Sequence, residues 1–296
     1  MQLLTNEDIL FIINPNSGSK RIARIVNEIN SLEPPVSYVI TNNLNELKEA
    51  FRLNIEKHKA FIVVGGDGTV NEAINYLHKR SDKLLGVLPA GSGNGFAREL
   101  GFKNSIPSLI RDTKKGEFIP IDILSINESP CINVAGLGFD SYVAHNFQHC
   151  KSRGLKNYIF HTLKAIGTFK PFRAKLTIGN EIFQGEFHTI TIANTRQFGN
   201  NAIIAPQAKP NDETIELVLV KAFPIYMYPV FIARLFLGSL KDSKYVRYLK
   251  VKDSFEIASE FKKYHVDGEA RIFTDSLSVD MMKEKVNIIK TEHNIL

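Results

Sequence analysis

The stretch that most constrains the fold of this chain is a run of apolar, largely β-branched residues, Ala60 to Val64, that ends directly at two glycines. Such a run, closed by a turn signal, predicts a buried strand. Beyond the turn, apolar residues recur from Val70 to Leu77 at the spacing of one helical face. This spacing predicts a helix beginning at Thr69 or Val70.

The glycines of this turn, Gly65, Gly66 and Gly68, can expose their backbone N–H groups and adopt positive φ. Together with the positive end of the helix dipole, this arrangement attracts phosphate. Asp67 lies among them and would repel an anion, unless Mg²⁺ bridges the two or the carboxylate takes the proton of an attacking hydroxyl. Either role indicates phosphoryl transfer. The alternative is an Asp that only caps a helix.

Loops of similar composition follow two further predicted strands. Asn14 to Lys20 follows the strand Ile9 to Ile13, and Pro89 to Arg98 follows the strand LLGVLP. In an open α/β sheet, ligands bind beyond the carboxyl ends of the strands, so three such loops can converge on one nucleotide. The chain contains no Walker or dinucleotide-binding pattern, no Cys/His zinc cluster and no serine-hydrolase elbow.

The order of predicted elements divides the chain in two. Up to about Ile121, strands alternate with helices, which favours an α/β nucleotide-binding domain with a mostly parallel sheet. Beyond it, many short strands with turn signals are typical of a sandwich or barrel. We predict an α/β domain over 1–121, to which the tail at about 284–296 is a candidate to return, and an all-β sandwich domain over 122–283.

The composition is that of a globular protein of 296 residues, with 44% hydrophobic and 23% charged residues. Cys131 and Cys150 form no C-x-x-C pair, which favours a reducing cytoplasm without disulfides. The start of the chain has no cationic region before its apolar run, so no signal peptide is predicted. The net charge of +6 permits binding to nucleic acid, phosphate or an anionic membrane without choosing among them.

Five motifs carry a resemblance to a known family, in the order FIINPNSGS, VVGGDGTVNEAIN, LGVLPAGSGNGFAREL, VAGLGFD and HVDGEA. They resemble the diacylglycerol kinase catalytic family, which includes bacterial lipid kinases and sphingosine kinases. GGDGT alone is shared with phosphofructokinases and NAD kinases, whose fold the first domain would share. The resemblance covers nearly the whole chain. It implies transfer of the γ-phosphoryl of Mg-ATP to a lipid hydroxyl, in a cleft between the two domains.

The resemblance also implies roles for individual residues. Asp67 would lie beside the nucleotide phosphates and the catalytic Mg²⁺. Glu269 would accept the hydroxyl proton, with Asp267 close by to share that work or bind metal. The residues implied to surround ATP are Asn14, Ser17, Gly18, Thr41, Gly65, Gly66, Gly68, Thr69, Asn71, Glu72, Gly91, Ser92 and Asn94. The alternative for Asp267-Gly268-Glu269 is a polar hairpin turn, because Asp-Gly is a strong turn signal.

The chain departs from the family pattern at two positions. Gly95 stands where bacterial members usually have Asp, so GSGN is closer to the sphingosine kinase version. The family's structural Mg²⁺ uses an Asp and neighbouring carbonyls, which map to Asp212 with the carbonyls of Lys209 and Thr214. Glu213 replaces a Gly there, and the absent Asp at position 95 removes a partner of the metal's hydration shell. A solvated turn is the open alternative.

Two basic stretches interleaved with aromatic residues predict contact with an anionic membrane surface. Between Ser141 and Asn180 there is no Asp or Glu, whereas Lys and Arg alternate with Phe and Tyr. Between Lys221 and Lys252, seven Lys or Arg accompany the single acid Asp242 and an apolar run too short to span a bilayer. A solvated basic face is the alternative. No nucleic-acid module is recognisable, so no nucleic acid is expected as a partner.

The sequence thus indicates a cytoplasmic, peripherally membrane-associated lipid kinase of lipid metabolism and phospholipid biosynthesis that uses ATP and Mg²⁺. The alternatives are a soluble GGDGT kinase such as an NAD kinase, and a non-catalytic lipid or nucleotide sensor of the same fold. NPNSGS, GSGN and the late DGE argue against the first, and the presence of both Asp67 and Glu269 argues against the second. The acceptor stays open among diacylglycerol, sphingoid base, ceramide and other alcohols. The oligomeric state is also open, with a homodimer as one option.

Overall fold

The computed structural model describes residues 3–17, 19–91, 93–148, 162, 165–166 and 168–294. The chain divides into two compact units. Met1–Ile121 and Glu284–Leu296 form the first unit, and Asp122–Lys283 forms the second.

The first unit is built from alternating strands and helices around one sheet. Its strands are β1 (Ile9–Ile13), β2 (Ser37–Ile40), β3 (Ala60–Gly65), β4 (Leu84–Pro89), β5 (Phe118–Ile121) and β17 (Val286–Ile289). Its helices are a short 3-10 helix (Asn6–Asp8), α1 (Ser19–Asn30), α2 (Leu44–Asn54), α3 (Asp67–Leu77), α4 (Gly95–Glu99) and α5 (Ile106–Lys114). The sheet order is β2-β1-β3-β4-β17-β5. All neighbours pair in parallel except β17 and β5.

The centre of this sheet explains the continuous apolar runs of the sequence. Every residue of β1 and β3 is buried, as expected for parallel strands that are covered on both faces. The apolar face of α3, from Val70 to Leu77, is buried as well. The helix begins at Asp67, earlier than predicted, because Gly66 is its N-cap. The Gly66 carbonyl accepts the N–H groups of Thr69 and Val70 at 3.0 and 3.2 Å.

The second unit is dominated by antiparallel strands. They are β6 (Leu124–Ile126), β7 (Ser129–Cys131), β8 (Val134–Gly138), β9 (Phe172–Ile178), β10 (Glu181–Ala193), β11 (Ile215–Lys221), β12 (Val246–Val251), β13 (Phe255–Ser259), β14 (Lys263–Val266), β15 (Glu269–Ile272) and β16 (Ser276–Met281). The helices are α6 (Phe139–Gln148), a short 3-10 helix (Ile225–Met227) and α7 (Tyr228–Phe236). The strand order is β15-β14-β8-β10-β9-β13-β16-β6-β7, and β11 branches from β10 to pair with β12.

Alternating burial places one face of these strands in the core. In β9 and β13 buried and exposed residues alternate strictly over most of the strand, and Leu176, Ile257 and Leu277 lie in the main apolar cluster. A second cluster packs on the other face of β11 around Val218 and Val220. The sequence prediction missed β12, which lies inside a stretch interpreted as basic and aromatic surface, and α6, most of which overlaps the other such stretch.

Candidate functional site

The loops that follow β1, β3 and β4 lie at one edge of the first unit's sheet, because these strands are adjacent and parallel. The Asn14 N–H donates to the Val64 carbonyl at 3.0 Å, and the Gly91 N–H donates to the Gly65 carbonyl at 3.3 Å. The side-chain nitrogen of Asn14 also donates to the Thr69 hydroxyl at 3.0 Å. The three loops predicted to receive a nucleotide are therefore joined to one another.

The second and third loops touch through glycine backbones. A Cβ on Gly66 would lie 3.2 Å from the Gly91 Cα, and a Cβ on Gly91 would lie 2.6 Å from the Gly66 Cα. Glycine is needed here because side chains would force the loops apart. The expectation of positive φ in the GGDG turn is wrong. Gly66 has φ −101°, Gly65 ends β3 and Gly68 lies inside α3.

Backbone donors gather at the N-terminus of α3. The N–H groups of Gly66, Asp67 and Gly68 find no hydrogen-bond acceptor among the described residues. A Cβ on Gly68 would meet no atom within 4 Å, so space adjoins the helix at this point. N–H groups in the first turn of a helix, beside the positive end of its dipole, suit phosphate oxygens.

The carboxylate of Asp67 caps helix α4. Its Oδ2 accepts the Gly95 N–H at 3.0 Å and its Oδ1 accepts the Phe96 N–H at 3.1 Å. Asp67 therefore does cap a helix, as in the alternative given above, but the helix that it caps is α4 and not α3. Each oxygen keeps a further lone pair that a cation or proton can use. Asp67 thus ties the GGDG turn to the GSGN loop.

Asn94 closes the third loop on itself. It adopts a left-handed backbone with φ 50°, its Oδ1 accepts the Gly91 N–H at 2.9 Å and its Nδ2 donates to the Gly91 carbonyl at 2.7 Å. Thr41 is similarly engaged, because its buried hydroxyl donates to the Ile13 carbonyl at 3.4 Å. Both side chains hold the protein's own backbone and shape the loops from within.

The remaining residues predicted to surround ATP vary in exposure. Asn71 is buried in α3, and Glu72 beside it is half-buried. The Ser17 N–H donates to the Asn14 carbonyl at 3.1 Å, which folds the first loop back toward the end of β1. Gly18 and Ser92 lie outside the described residues. The roles of these residues toward a nucleotide stay predictions.

In the second unit, Asp267 and Gly268 are the central residues of a tight turn between β14 and β15. Their φ values of 50° and 87° are those of a two-residue hairpin turn. Val266 pairs with Glu269 across the turn. The DGE segment therefore does form the polar hairpin turn given above as the alternative. This turn fixes the backbone position of Glu269, the first residue of β15.

The Asp267 carboxylate is bonded to the residues that join β7 to the start of β8. It accepts the backbone N–H groups of Ile132, Asn133 and Val134 at 3.1, 2.9 and 3.1 Å. Burial raises the pKa of Asp267, and these backbone hydrogen bonds act in the opposite direction. Because the backbone uses its acceptor oxygens, Asp267 is placed to anchor the hairpin.

Glu269 keeps the more accessible carboxylate of the DGE segment. Its side chain is 46% exposed, and its closest ion-pair contact is the Arg271 guanidinium, 3.5 Å from Oε2. Arg271 in turn donates to the Ser129 hydroxyl. Of the two acids, Glu269 is therefore the one that a substrate hydroxyl can reach without displacing backbone hydrogen bonds.

The segment predicted to hold a structural Mg²⁺ forms a closed turn. Asp212 Oδ1 accepts the N–H and the hydroxyl of Thr214 at 3.1 and 2.5 Å, and the Lys250 ammonium lies 3.8 Å from Oδ2. Glu213 adopts φ 56°, a conformation that explains the family's Gly, and its N–H donates to Asp122 at 2.8 Å. The described residues contain no group of three or more His, Cys, Asp or Glu side chains that could hold a metal ion.

Two residues that the sequence prediction left without a role meet beside the hairpin. His265 Nε2 lies 3.3 Å from Asp140 Oδ2, although the two residues are 125 positions apart. Each belongs to a quoted motif, VAGLGFD or HVDGEA. The motifs were the available signal, but the sequence alone does not show that they meet.

The 3-10 helix Ile225–Met227 and helix α7 form an exposed apolar surface. None of their residues is buried, and Ile225, Tyr226 and the adjoining Leu237 are 66%, 76% and 78% exposed. No helix in the described ranges is long and apolar enough to cross a bilayer. In the other predicted membrane stretch, residues 149–161, 163–164 and 167, which include Lys151 and Lys156, lie outside the described residues.

Comparison with known proteins agrees with this architecture. Residues 8–126 match the diacylglycerol kinase catalytic domain, and residues 133–283 match the YegS C-terminal NAD kinase beta sandwich-like domain. A diacylglycerol kinase of Bacillus subtilis is 26% identical over 267 residues, covering 87% of this chain and 88% of the relative. A protein of Shewanella frigidimarina named "Probable lipid kinase YegS-like" is 31% identical over 211 residues, covering 68% and 66%.

Solved structures share the fold. A diacylglycerol kinase from Bacillus anthracis superposes with a TM-score of 0.76 at 20% identity, covering 98% of both chains. An NAD kinase from Archaeoglobus fulgidus in complex with ATP superposes with a TM-score of 0.54 at 14% identity, covering 96% of this chain and 94% of the other. The predicted α/β domain of NAD kinase type with a β sandwich is thereby confirmed. The chain belongs to the lipid kinase family that joins a diacylglycerol kinase catalytic domain to a YegS-type C-terminal β sandwich.

Proposed function

We propose that this protein transfers the γ-phosphoryl group of Mg-ATP to the hydroxyl of a lipid. The observation that carries the proposal is the joined surface of three loops in the first unit, where Gly66 and Gly91 meet through their backbones. The names of the relatives support a lipid acceptor, and the ATP complex of the NAD kinase supports ATP as the donor. Diacylglycerol and sphingoid bases are the acceptors we expect first.

In this proposal the phosphates lie against the N-terminus of α3, where N–H groups and the helix dipole stabilise negative charge. The chain has no Walker lysine, so neutralisation of that charge would depend on a bound Mg²⁺, which Asp67 would hold. Asp67 fits this ion, because both of its oxygens accept an N–H group and still keep a lone pair. When bound, Mg²⁺ stabilises the charge of the transferring phosphoryl group.

The donor set of Lys209, Asp212 and Thr214 fits a second metal less well. Both donors of Thr214 go to Asp212 Oδ1, and the Lys250 ammonium, 3.8 Å from Oδ2, would repel a cation at the other oxygen. The structural Mg²⁺ therefore stays a prediction, and we assign it no step in the reaction.

Glu269 supplies the proton acceptor in the proposed reaction. A lipid hydroxyl is a poor nucleophile until its proton has somewhere to go, and a carboxylate within hydrogen-bond reach provides that place. Glu269 is partly exposed, whereas Asp267 is bonded to three backbone N–H groups. We therefore assign the base to Glu269 and give Asp267 the task of holding the hairpin.

An NAD kinase and a non-catalytic sensor are the competing functions. The structural likeness to an NAD kinase shows the fold alone. An assay that offers radiolabelled ATP to purified lipids and to NAD side by side separates the three functions, because the label moves to a lipid, to NAD or to neither.

We also propose that the protein binds an anionic membrane surface through an apolar patch formed by Ile225, Tyr226, Val230, Phe236 and Leu237. Each of these side chains is more than 40% exposed. The surrounding segment, Lys221 to Lys252, carries seven Lys or Arg against one acid. Apolar side chains that enter the headgroup region, flanked by cations that attract anionic lipid, are the pattern of an interfacial helix.

The membrane proposal can be tested by fluorescence. Because the chain contains no Trp, a single introduced Trp reports only on its own surroundings. A Tyr226→Trp variant should emit at shorter wavelength when mixed with vesicles containing phosphatidylserine, since the indole enters a less polar environment. The shift should weaken as salt rises, because attraction to surface charge decays within about 8 Å at physiological ionic strength. Emission spectra across a salt series measure both effects.

The matched control is Leu53→Trp, which places the reporter on α2 at a residue that is 50% exposed and outside the patch. Its emission should not change with the same vesicles. Equal spectra of Tyr226→Trp with and without anionic vesicles would leave the patch as a solvated face.

A further inference from the structure

Besides the pairing of β14 with β8 and the contacts of Arg271, two side chains near the turn tie the hairpin that carries Glu269 to the rest of its unit. The first is the Asp267 carboxylate, which accepts the backbone N–H groups of Ile132, Asn133 and Val134, the last of which begins β8. The second is His265, which is 4% exposed and lies on β14 opposite Gly136 of β8. The first attachment belongs to the turn itself, whereas the second reaches across to helix α6.

His265 makes one hydrogen bond with each of its ring nitrogens. The Gly268 N–H donates to Nδ1 at 3.3 Å, and Nε2 lies 3.3 Å from Asp140 Oδ2. One imidazole tautomer satisfies both contacts, with the proton on Nε2, where it is donated to the carboxylate. The residue bonded to Nδ1 is the one directly before Glu269.

Asp140 is itself held in place at the start of α6. Its Oδ1 accepts the Ser141 N–H at 2.8 Å, which leaves Oδ2 for His265. Gly136 provides the room, because a Cβ at this position would lie 2.3 Å from Asp140 Oδ2. The glycine, the carboxylate and the imidazole therefore form one arrangement, in which the aspartate fixes the orientation of the ring.

We propose that His265 is a positioning residue that holds the Asp267-Gly268 turn, and through it Glu269, against α6. This inference rests on the proposed role of Glu269 as proton acceptor. A carboxylate that must lie within hydrogen-bond reach of a lipid hydroxyl needs a backbone held in a fixed position. Displacing such a group by about 1 Å can reduce a rate by as much as about 100-fold. The His265 side chain does not contact the reacting groups in this role.

Two substitutions separate the two bonds of the ring. In His265→Asn the side-chain oxygen takes the place of Nδ1, so the bond to the Gly268 N–H is kept and the bond to Asp140 is lost. In His265→Gln the terminal amide takes the place of Nε2, so Asp140 keeps its donor and the Gly268 N–H loses its acceptor. We expect kcat to fall about 10- to 100-fold in His265→Gln and less in His265→Asn. The KM for ATP should stay unchanged, because ATP is assigned to the first unit.

A second measurement does not depend on activity. Hydrogen exchange of residues 263–272, followed by mass spectrometry, should be faster in His265→Gln than in the wild type and in His265→Asn, because only the Gln variant leaves the Gly268 N–H without its acceptor. Circular dichroism verifies that all the proteins are folded. Unchanged exchange in His265→Gln overturns the proposal, and so does a wild-type kcat in a variant with faster exchange.

The same set of proteins distinguishes this inference from the proposed function. If Glu269→Gln retains the wild-type rate, the assignment of the base fails, whatever the His265 variants do. If the wild-type protein phosphorylates none of the lipids offered, exchange alone decides whether His265 holds the turn. Faster exchange in His265→Gln then supports the holding of the turn, and equal exchange refutes it.

Discussion

Glu269→Gln is expected to lower the rate of lipid phosphorylation by about 10² to 10⁴, the usual effect of removing a general base. The substitution keeps the shape of the side chain and removes the proton acceptor. ATP affinity should hardly change, because the base acts on the acceptor hydroxyl. Steady-state kinetics with a phosphorylated lipid as product, together with calorimetric titration of ATP, measure the two effects separately.

Asp267→Asn is the matched control two positions earlier. Its carboxylate anchors the hairpin through three backbone N–H groups. Replacing one acceptor oxygen by an NH₂ group should therefore lower the free energy of unfolding, by about 1 to 3 kcal/mol for a buried donor left unsatisfied. If Glu269→Gln works at the wild-type rate while a folded Asp267→Asn does not, the base is Asp267.

Gly91→Ala is expected to weaken ATP binding by about 5- to 150-fold. The added Cβ would lie 2.6 Å from the Gly66 Cα and 2.9 Å from Asn94 Oδ1, so the backbones of the second and third loops must separate. Overpacking of this kind costs about 1 to 3 kcal/mol, and each 1.4 kcal/mol is about tenfold in affinity. Calorimetric titration with Mg-ATP measures the change.

Two glycines serve as controls for this experiment. Gly185→Ala, in β10, adds a Cβ that meets nothing closer than the Phe187 ring at 3.8 Å, so ATP affinity should be that of the wild type. In Gly68→Ala the added Cβ would meet no protein atom within 4 Å. Any loss of ATP affinity in this variant would therefore indicate a clash of the methyl group with ATP itself. Wild-type ATP affinity in a folded Gly91→Ala would contradict the placement of the nucleotide at these loops.

The fold of the first unit could be predicted because its buried strands are continuous runs of apolar residues in the sequence. β1, β3 and β4 are apolar runs closed by turn residues, and each was predicted within one residue of its observed bounds. β12 was missed although Val246 and Val251 are buried, because the Lys and Arg residues between them suggested a surface. An antiparallel strand can keep part of its surface in solvent, so the exposed Arg247 and Lys250 coexist with the strand.

The candidate site was predictable in position but not in contacts. The glycine loops were correctly expected at neighbouring strand ends, because parallel strands present their carboxyl ends at one edge. The reason for the glycines differs: Gly66 and Gly91 allow two backbones to approach, a relation between residues far apart in sequence. The Asp67 bonds to Gly95 and Phe96 are of the same kind, spanning 28 and 29 positions.

The hairpin site shows the same limit. The Asp-Gly pair predicted the turn from local preference alone. The partners of Asp267 lie 133 to 135 positions earlier in the chain, and that of His265 lies 125 positions earlier. Propensity and spacing carry no information on such pairs, so the sequence could not tell the anchoring carboxylate from the accessible one.

The most direct test of the lipid kinase proposal is transfer of label from γ-labelled ATP to purified lipids. The wild-type protein and Glu269→Gln are incubated with Mg²⁺ and, separately, with diacylglycerol, a sphingoid base, ceramide and NAD. We predict that the wild-type protein labels at least one lipid, that Glu269→Gln labels it far more slowly, and that NAD stays unlabelled. Label on NAD, or no labelled product from a folded protein that binds ATP, would contradict a lipid kinase.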